Sequence, residues 1–185
     1  REELDRVIAA LLEMGRTRGT LATAPLPLAP LHTGATPSGL LFPGKVLADH
    51  AGDRLFIADS GHHRILMTDW DGNVHAYFGA GIPGLVDGAF SDARFRNPQG
   101  MALAGNTLYV ADTENHRVRL VTKTGPSSYA VSTPYGSGTP ALTNGQGTAA
   151  AFNRLRGVAA DGQALLIADS DNFVIRHIDL GSGQV

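Results

Sequence analysis

The sequence contains no cysteine among its 185 residues. That excludes disulfides, thiolate metal centres and thiol chemistry within the chain, and it leaves the redox compartment open. Charge is sparse too. Charged residues make up 17%, and 15 basic side chains against 17 acidic ones leave a net charge of -2, so the electrostatic footprint of a nucleic-acid or anionic-membrane binder is missing. Aromatics are only 6%, which is thin for the stacking platforms that hold single strands. No apolar run approaches the roughly 18 residues of a membrane span, and the acidic opening REELD is unlike a secretion signal. Nucleic-acid partners and membrane insertion are disfavoured on these grounds, and a cytoplasmic location is favoured. The apolar content of 43% is enough for a substantial core at this length.

Residues 2–14 place Leu4, Val7, Ile8, Leu11 and Leu12 at helical intervals, with Glu2 and Glu3 early and Arg16 and Arg18 late, as the helix dipole favours. The spacing predicts an amphipathic helix within residues 1–19. Between 20 and 44 stand Pro25, Pro27, Pro30, Pro37 and Pro43, half of all ten prolines. Such a stretch is extended and semi-rigid, a linker or an edge strand. From residue 45 onward glycine and short β-branched runs dominate, which predicts an all-β remainder.

Within 45–185 one phrase occurs three times: RLFIADSGHHRIL at 54–66, TLYVADTENHRVRL at 107–120 and ALLIADSDNFVIRHI at 164–178. Each copy has a short strand before it, KVLAD, GMALA or GVAAD, and a polar turn inside it. A fourth strand follows the first two copies, NVHAYFG at 73–79 and SYAVSTP at 128–134. The unit is a four-stranded meander of roughly 50 residues, the size of a propeller blade. Leu40, Phe95 and Phe152 hold one apolar place in the lead-in loops and are expected in the core. The third copy stops after GSGQV with no fourth strand.

The pattern Pro-x-Gly, aliphatic strand, Ala-Asp-Ser/Thr, Asn-His-Arg-aliphatic resembles the NHL repeat, and Pro98 to Arg119 carries it almost whole. The phrase GIPGLVDGAFSDARFRNPQG is similar to the long NHL repeats of proteins in which a thioredoxin-like domain precedes the propeller. The resemblance implies a partial β-propeller of about three blades, the third incomplete. It also implies that helix 2–14 and the proline-rich run are the end of a thioredoxin-like domain and its linker, the latter serving as a closing strand. On this reading the chain is a fragment, and the remaining blades or self-association are expected to complete it. The third copy departs furthest, with Phe173-Val174 in place of His-Arg.

Several groups could carry function. GAGIPG at 79–84 fits the dinucleotide fingerprint, but Pro83, Gly84 and Gly88 argue against the helix that must follow; an interblade loop is expected. Asp59, Asp112 and Asp169 each close a strand and open a polar turn, where a carboxylate commonly accepts nearby backbone amides; turn capping is expected rather than metal binding. His62, His63, Arg64, His116 and Arg117 follow these turns, and blade-to-blade hydrogen bonding is their expected role, with a surface patch as the alternative. Arg94, Arg96, Arg154 and Arg156 lie in the lead-in loops as a second candidate surface. No nucleophile elbow, zinc-protease motif, P-loop or calcium loop occurs, so no catalytic residue, metal or cofactor is assigned. The expected function is a non-catalytic scaffold that binds a protein or other ligand through its loops. The alternative is part of an enzyme, either a channel-metal propeller hydrolase or lyase, or a redox protein whose thioredoxin-like catalytic domain lies elsewhere.

Overall fold

The computed structural model describes Ala9, Glu13, Arg16, Thr17 and residues 39–185. The chain divides into two units, Arg1–Gly39 and Leu40–Val185. The helix expected over 2–14, the body of the linker at 20–38 and the closing strand therefore lie outside the described residues, apart from Ala9 and Glu13.

The second unit is all-β. Strands β1 (Pro43–Asp49), β2 (Arg54–Asp59), β3 (Arg64–Thr68) and β4 (Val74–Phe78) form a meander in that order. Strands β6 (Pro98–Ala104), β7 (Thr107–Asp112), β8 (Arg117–Lys123) and β9 (Tyr129–Tyr135) form the second, and β10 (Gly157–Ala160), β11 (Ala164–Asp169) and β12 (Val174–Asp179) the third. All pairings are antiparallel, with Ile57 opposite Leu66, Val110 opposite Arg119 and Ile167 opposite Arg176. The repeat thus folds as three sheets, and the third has three strands as its shorter sequence implies. β1 starts at Pro43, two residues before the linker boundary drawn from proline content. The second sheet also gains a fifth strand, β5 (Gly88–Ala89), paired to β9 through Gly88–Val131 and Ala89–Ala130. Two residues of a glycine-rich loop gave no strand signal.

Both faces of the middle sheet are covered, so TLYVAD reads as a continuous apolar run rather than an alternating one. Leu108 and Val110 point towards the first sheet and pack with Phe56, Ile65, Phe78, Phe95 and Met101. Tyr109 and Ala111 point the other way and pack with Phe152 and Leu155 of the lead-in loop and with Leu165 and Ile167 of the third sheet. The inner strands β1 and β10 both pack against β6, as in successive blades. Phe95 and Phe152 are fully buried between sheets, as their shared repeat position implies. Leu40 is not their equivalent in packing: it is 42% exposed. In the described residues the first sheet has no preceding blade for Leu40 to pack against.

Candidate functional site

Each of the three turns between second and third strands is a short 3-10 segment, Ser60–His62, Thr113–Asn115 and Ser170–Asn172. The residue after each, His63, His116 or Phe173, takes a left-handed conformation with φ of 54, 54 and 59°. Asp59, Asp112 and Asp169 precede these turns but make no side-chain cap to them. The expected local cap is replaced by a longer clamp. One oxygen of each carboxylate accepts the backbone N–H of Leu41, Arg96 or Asn153, at 2.7 Å in every case. These amides lie 16 to 18 residues upstream. The amides of Gly61, Glu114 and Asp171 inside the turns donate to the carbonyls of Leu41, Arg96 and Asn153, and those of His63, His116 and Phe173 to the carbonyls of Ser60, Thr113 and Ser170, so none of these is left for the aspartate.

The second oxygen takes a turn side chain and an arginine. Around Asp59 these are His62 Nδ1 and Arg64 Nε, both at 2.9 Å. Around Asp112 they are Asn115 Nδ2 at 2.8 Å and Arg119 Nη1 at 2.7 Å. Around Asp169 they are Asn172 Nδ2 at 2.9 Å and Arg176 Nη1 at 3.1 Å. The fully buried Arg119 also donates to the carbonyls of Arg94 and Val86 and to Asp87 Oδ1, each at 2.8 Å, and lies 4.8 Å over the Phe95 ring. Arg176 does the same for Ala151 and Thr143, over Phe152. These two arginines pin the long interblade loops. Sequence reasoning missed both, although an arginine seven residues after Ala-Asp in the second and third copies was a readable signal; Leu66 holds that place in the first. Burial pushes the Asp112 carboxyl up to about 6, against the pull of Arg119 and the Arg96 amide.

Two further contacts join neighbouring sheets. Ser60 Oγ donates to the carbonyl of Pro98 at 2.5 Å, and Thr113 Oγ1 to that of Leu155 at 2.8 Å. His63 Nδ1 accepts the Asn97 amide at 3.1 Å, and His116 Nδ1 the Arg154 amide at 3.0 Å. In the third turn Phe173 takes the histidine's place and is 92% exposed. Arg117 donates to the carbonyls of Gly136 and Ser137 at 2.7 and 2.5 Å, within the same junction.

Acceptance of an amide requires an unprotonated Nδ1. Burial lowers both His63 and His116 below their ordinary 6.5; Arg96 and His62 lower His63 further, while at His116 Glu114, Asp171 and Asp169 oppose Arg154. Since the unfolded chain then binds these protons first, the contribution is complete above about pH 6.5 and is lost as pH falls below it. Asp112 runs the opposite way: its raised value disfavours the fold above about pH 6 and relieves that cost on acidification. A His63→Asn/His116→Asn variant isolates the first effect, because Asn Oδ1 can accept the same amide and Asn tolerates the left-handed backbone. Its melting temperature should fall less than the wild type's between about pH 7.5 and about pH 5.5. Equal shifts would show that the histidines do not latch the blades.

The segment 79–84 forms a turn without a helix, held by Gly79 N–H to Phe90 O at 2.8 Å and Gly84 N–H to Phe95 O at 3.1 Å. Among the described residues no three His, Asp or Glu side chains gather as metal ligands. No helix there is long and apolar enough to cross a membrane. The four lead-in arginines do not form one patch of free charge. Arg154 is paired with Glu114 and lies 3.8 Å from Asp171. Arg94, Arg96 and Arg156 are exposed. Arg96 lines an open groove of about 600 Å³ between the first two sheets, with Phe42, Ser60, Gly61, His63, Asn97, Gln99 and Glu114 on its walls.

The model of the NHL repeat matches residues 95–119. The chain is 53% identical over 85 residues to NHL repeat-containing protein 2 of Homo sapiens, covering 46% of this chain and 12% of that protein. It is 42% identical over 126 residues to the Arabidopsis thaliana protein SUPPRESSOR OF QUENCHING 1, chloroplastic, covering 64% of this chain and 12% of that one. Among solved structures, an auxiliary nutrient binding protein from Bacteroides thetaiotaomicron superposes with a TM-score of 0.60 at 25% identity, over 71% of this chain and 36% of its own. The chain therefore spans about an eighth of the length of these two curated relatives.

Proposed function

Because the chain is an NHL-repeat protein whose sheets are successive propeller blades, we propose that it is a non-catalytic scaffold presenting its turns and lead-in loops to a protein or small-molecule partner. The observation that carries this reading is the pinning of those loops. Arg119 and Arg176 hold the interblade loops from beneath, and each lead-in amide is held at 2.7 Å by a buried aspartate. Loops fixed in this way offer a pre-organised surface, which lowers the entropic cost of binding. The Bacteroides structure named as a binding protein accords with it. The compartment we favour is the cytoplasm, although one relative's name is chloroplastic.

Two sheet faces also remain free among the described residues. Leu166 and Ile175 on the third sheet stand where Tyr109 and Val118 of the second sheet receive their neighbour, and Val46 is exposed on the first. We propose that these faces take further blades, from the same polypeptide or another chain. The solution mass of the 185-residue chain separates the two.

The scaffold reading is tested by comparing partners co-purified with the wild type and with an Arg94→Ala/Arg156→Ala variant. Neither side chain has a partner within the described residues, so folding should be unaffected. The expected result is selective loss of partners. Full retention in that variant, or turnover of a substrate by the wild type, would overturn it.

A further inference from the structure

We propose that the groove between the first and second blades is a binding site for a carboxylate, with Arg96 as its cationic anchor. The inference deepens the scaffold reading and rests on it. An unpaired arginine on the wall of a groove that the first turn leaves open carries it. At the second junction the turn supplies Glu114, whose carboxylate pairs with Arg154, and Asp171 of the next turn lies 3.8 Å from the same guanidinium. The cation there is neutralised by the chain itself. At the first junction Gly61 stands in the place of Glu114 and Asn97 in the place of Arg154, its amide meeting His63 as that of Arg154 meets His116; the cation there is Arg96, one residue earlier. The first turn supplies no carboxylate, and the Arg96 guanidinium has no hydrogen-bond or ion-pair partner among the described residues. Glu114 also borders the groove, but its carboxylate is taken by Arg154.

An acidic side chain cannot be placed at Gly61. A Cβ on Gly61 would stand 2.5 Å from Leu41 Cγ and 2.8 Å from the Leu41 carbonyl oxygen, closer than side-chain carbons approach. The first turn therefore leaves the groove open to a carboxylate from outside the chain.

The other walls suit the same ligand. His63 Nδ1 accepts the Asn97 amide at 3.1 Å, which leaves the hydrogen of the neutral ring on Nε2, a donor. The Gln99 and Asn97 side chains supply neutral donors, and Phe42, 79% exposed, an apolar flank. A volume of about 600 Å³ suits a small organic acid or the end of an acidic side chain. Because Arg96 is exposed, the interaction should be modest and weakened by salt.

The test is a heteronuclear NMR titration of the 185-residue chain with succinate, with uncharged succinamide, and with an acetylated aspartate-containing peptide. Succinate should shift the amides of Gly61, His63, Asn97 and Gln99, and succinamide should not. Arg96→Gln should weaken the succinate response about tenfold or more, the usual worth of one charge-assisted contact. Its backbone amide, which Asp112 holds, is retained, so the fold should persist. Arg156→Gln, outside the groove, should leave the response intact. A peptide that binds more tightly than succinate at the same residues assigns the carboxylate to a protein partner; the reverse order assigns it to a free metabolite. Equal responses to succinate and succinamide, or an unchanged response in Arg96→Gln, would overturn the proposal. If that happened while the Arg94/Arg156 variant still lost its partners, the scaffold reading would stand without this site.

Discussion

Arg119→Ala should destabilise the protein by roughly 3–5 kcal/mol, the usual cost of breaking a buried ion pair from one side. Arg119 and Asp112 are both fully buried, 2.7 Å apart. Truncation leaves the Asp112 carboxylate in the core without its cation, and it strips the carbonyls of Val86 and Arg94 of their donor. The Asp112 carboxyl should then take up a proton at still higher pH, since burial already raises it and the opposing cation is gone. Urea unfolding read by linear extrapolation would measure the loss. An Asp112→Asn/Arg119→Met double variant should recover a good part of it, because neither charge is then buried alone. Arg64→Ala in the first blade should cost less, as Arg64 is partly exposed and His62 also serves Asp59. A loss below about 1 kcal/mol for Arg119→Ala would mean that the pair does not stabilise the fold.

Phe95→Ala should cost about as much, on the order of 3–5 kcal/mol. The ring is fully buried among residues of two sheets, Phe56, Phe78, Met101 and Val110 among them, and carries the Arg119 guanidinium 4.8 Å above its centroid. Its removal opens a cavity that strand backbones on both sides cannot close, so the transfer loss and the cavity loss add. Leu40→Ala is the informative companion. The two residues share a place in the repeat, yet Leu40 is 42% exposed, so its truncation should cost less than about 1 kcal/mol. Calorimetry of both variants would check the contrast. Similar melting temperatures would show that Leu40 is covered in solution and that a further blade lies against the first sheet.

Much of this protein was legible in its sequence. The spacing of Asp59, Asp112 and Asp169 marks three units, and the apolar runs before them become β2, β7 and β11. A strand needs only a few residues of suitable shape bounded by turn formers, and those signals are local. The depth of Phe95 and Phe152 followed from their shared position, and the histidine latches from the placement of His63 and His116 after the turns. Each of these inferences uses either neighbouring residues or the repeat, so one chain carries the information three times over.

What the tertiary structure alone decided is where polar groups end their reach. The repeated aspartates suggest caps for their own turns, but the sheet brings the lead-in amides of Leu41, Arg96 and Asn153 within 2.7 Å instead. Arg119 looks like an ordinary exposed β-strand charge until the interblade loop folds beneath it and turns Val86, Asp87 and Arg94 towards its guanidinium. The open groove at Arg96 depends on a glycine in one turn and on acids in its two counterparts, and the difference acquires meaning only when the sheets stand side by side. Strand formation is governed by local shape and hydrophobic period, which a sequence states directly. Hydrogen-bond and ion-pair partners across 16 to 33 residues depend on the path of the loops between them, and that path is set by the packing of whole sheets.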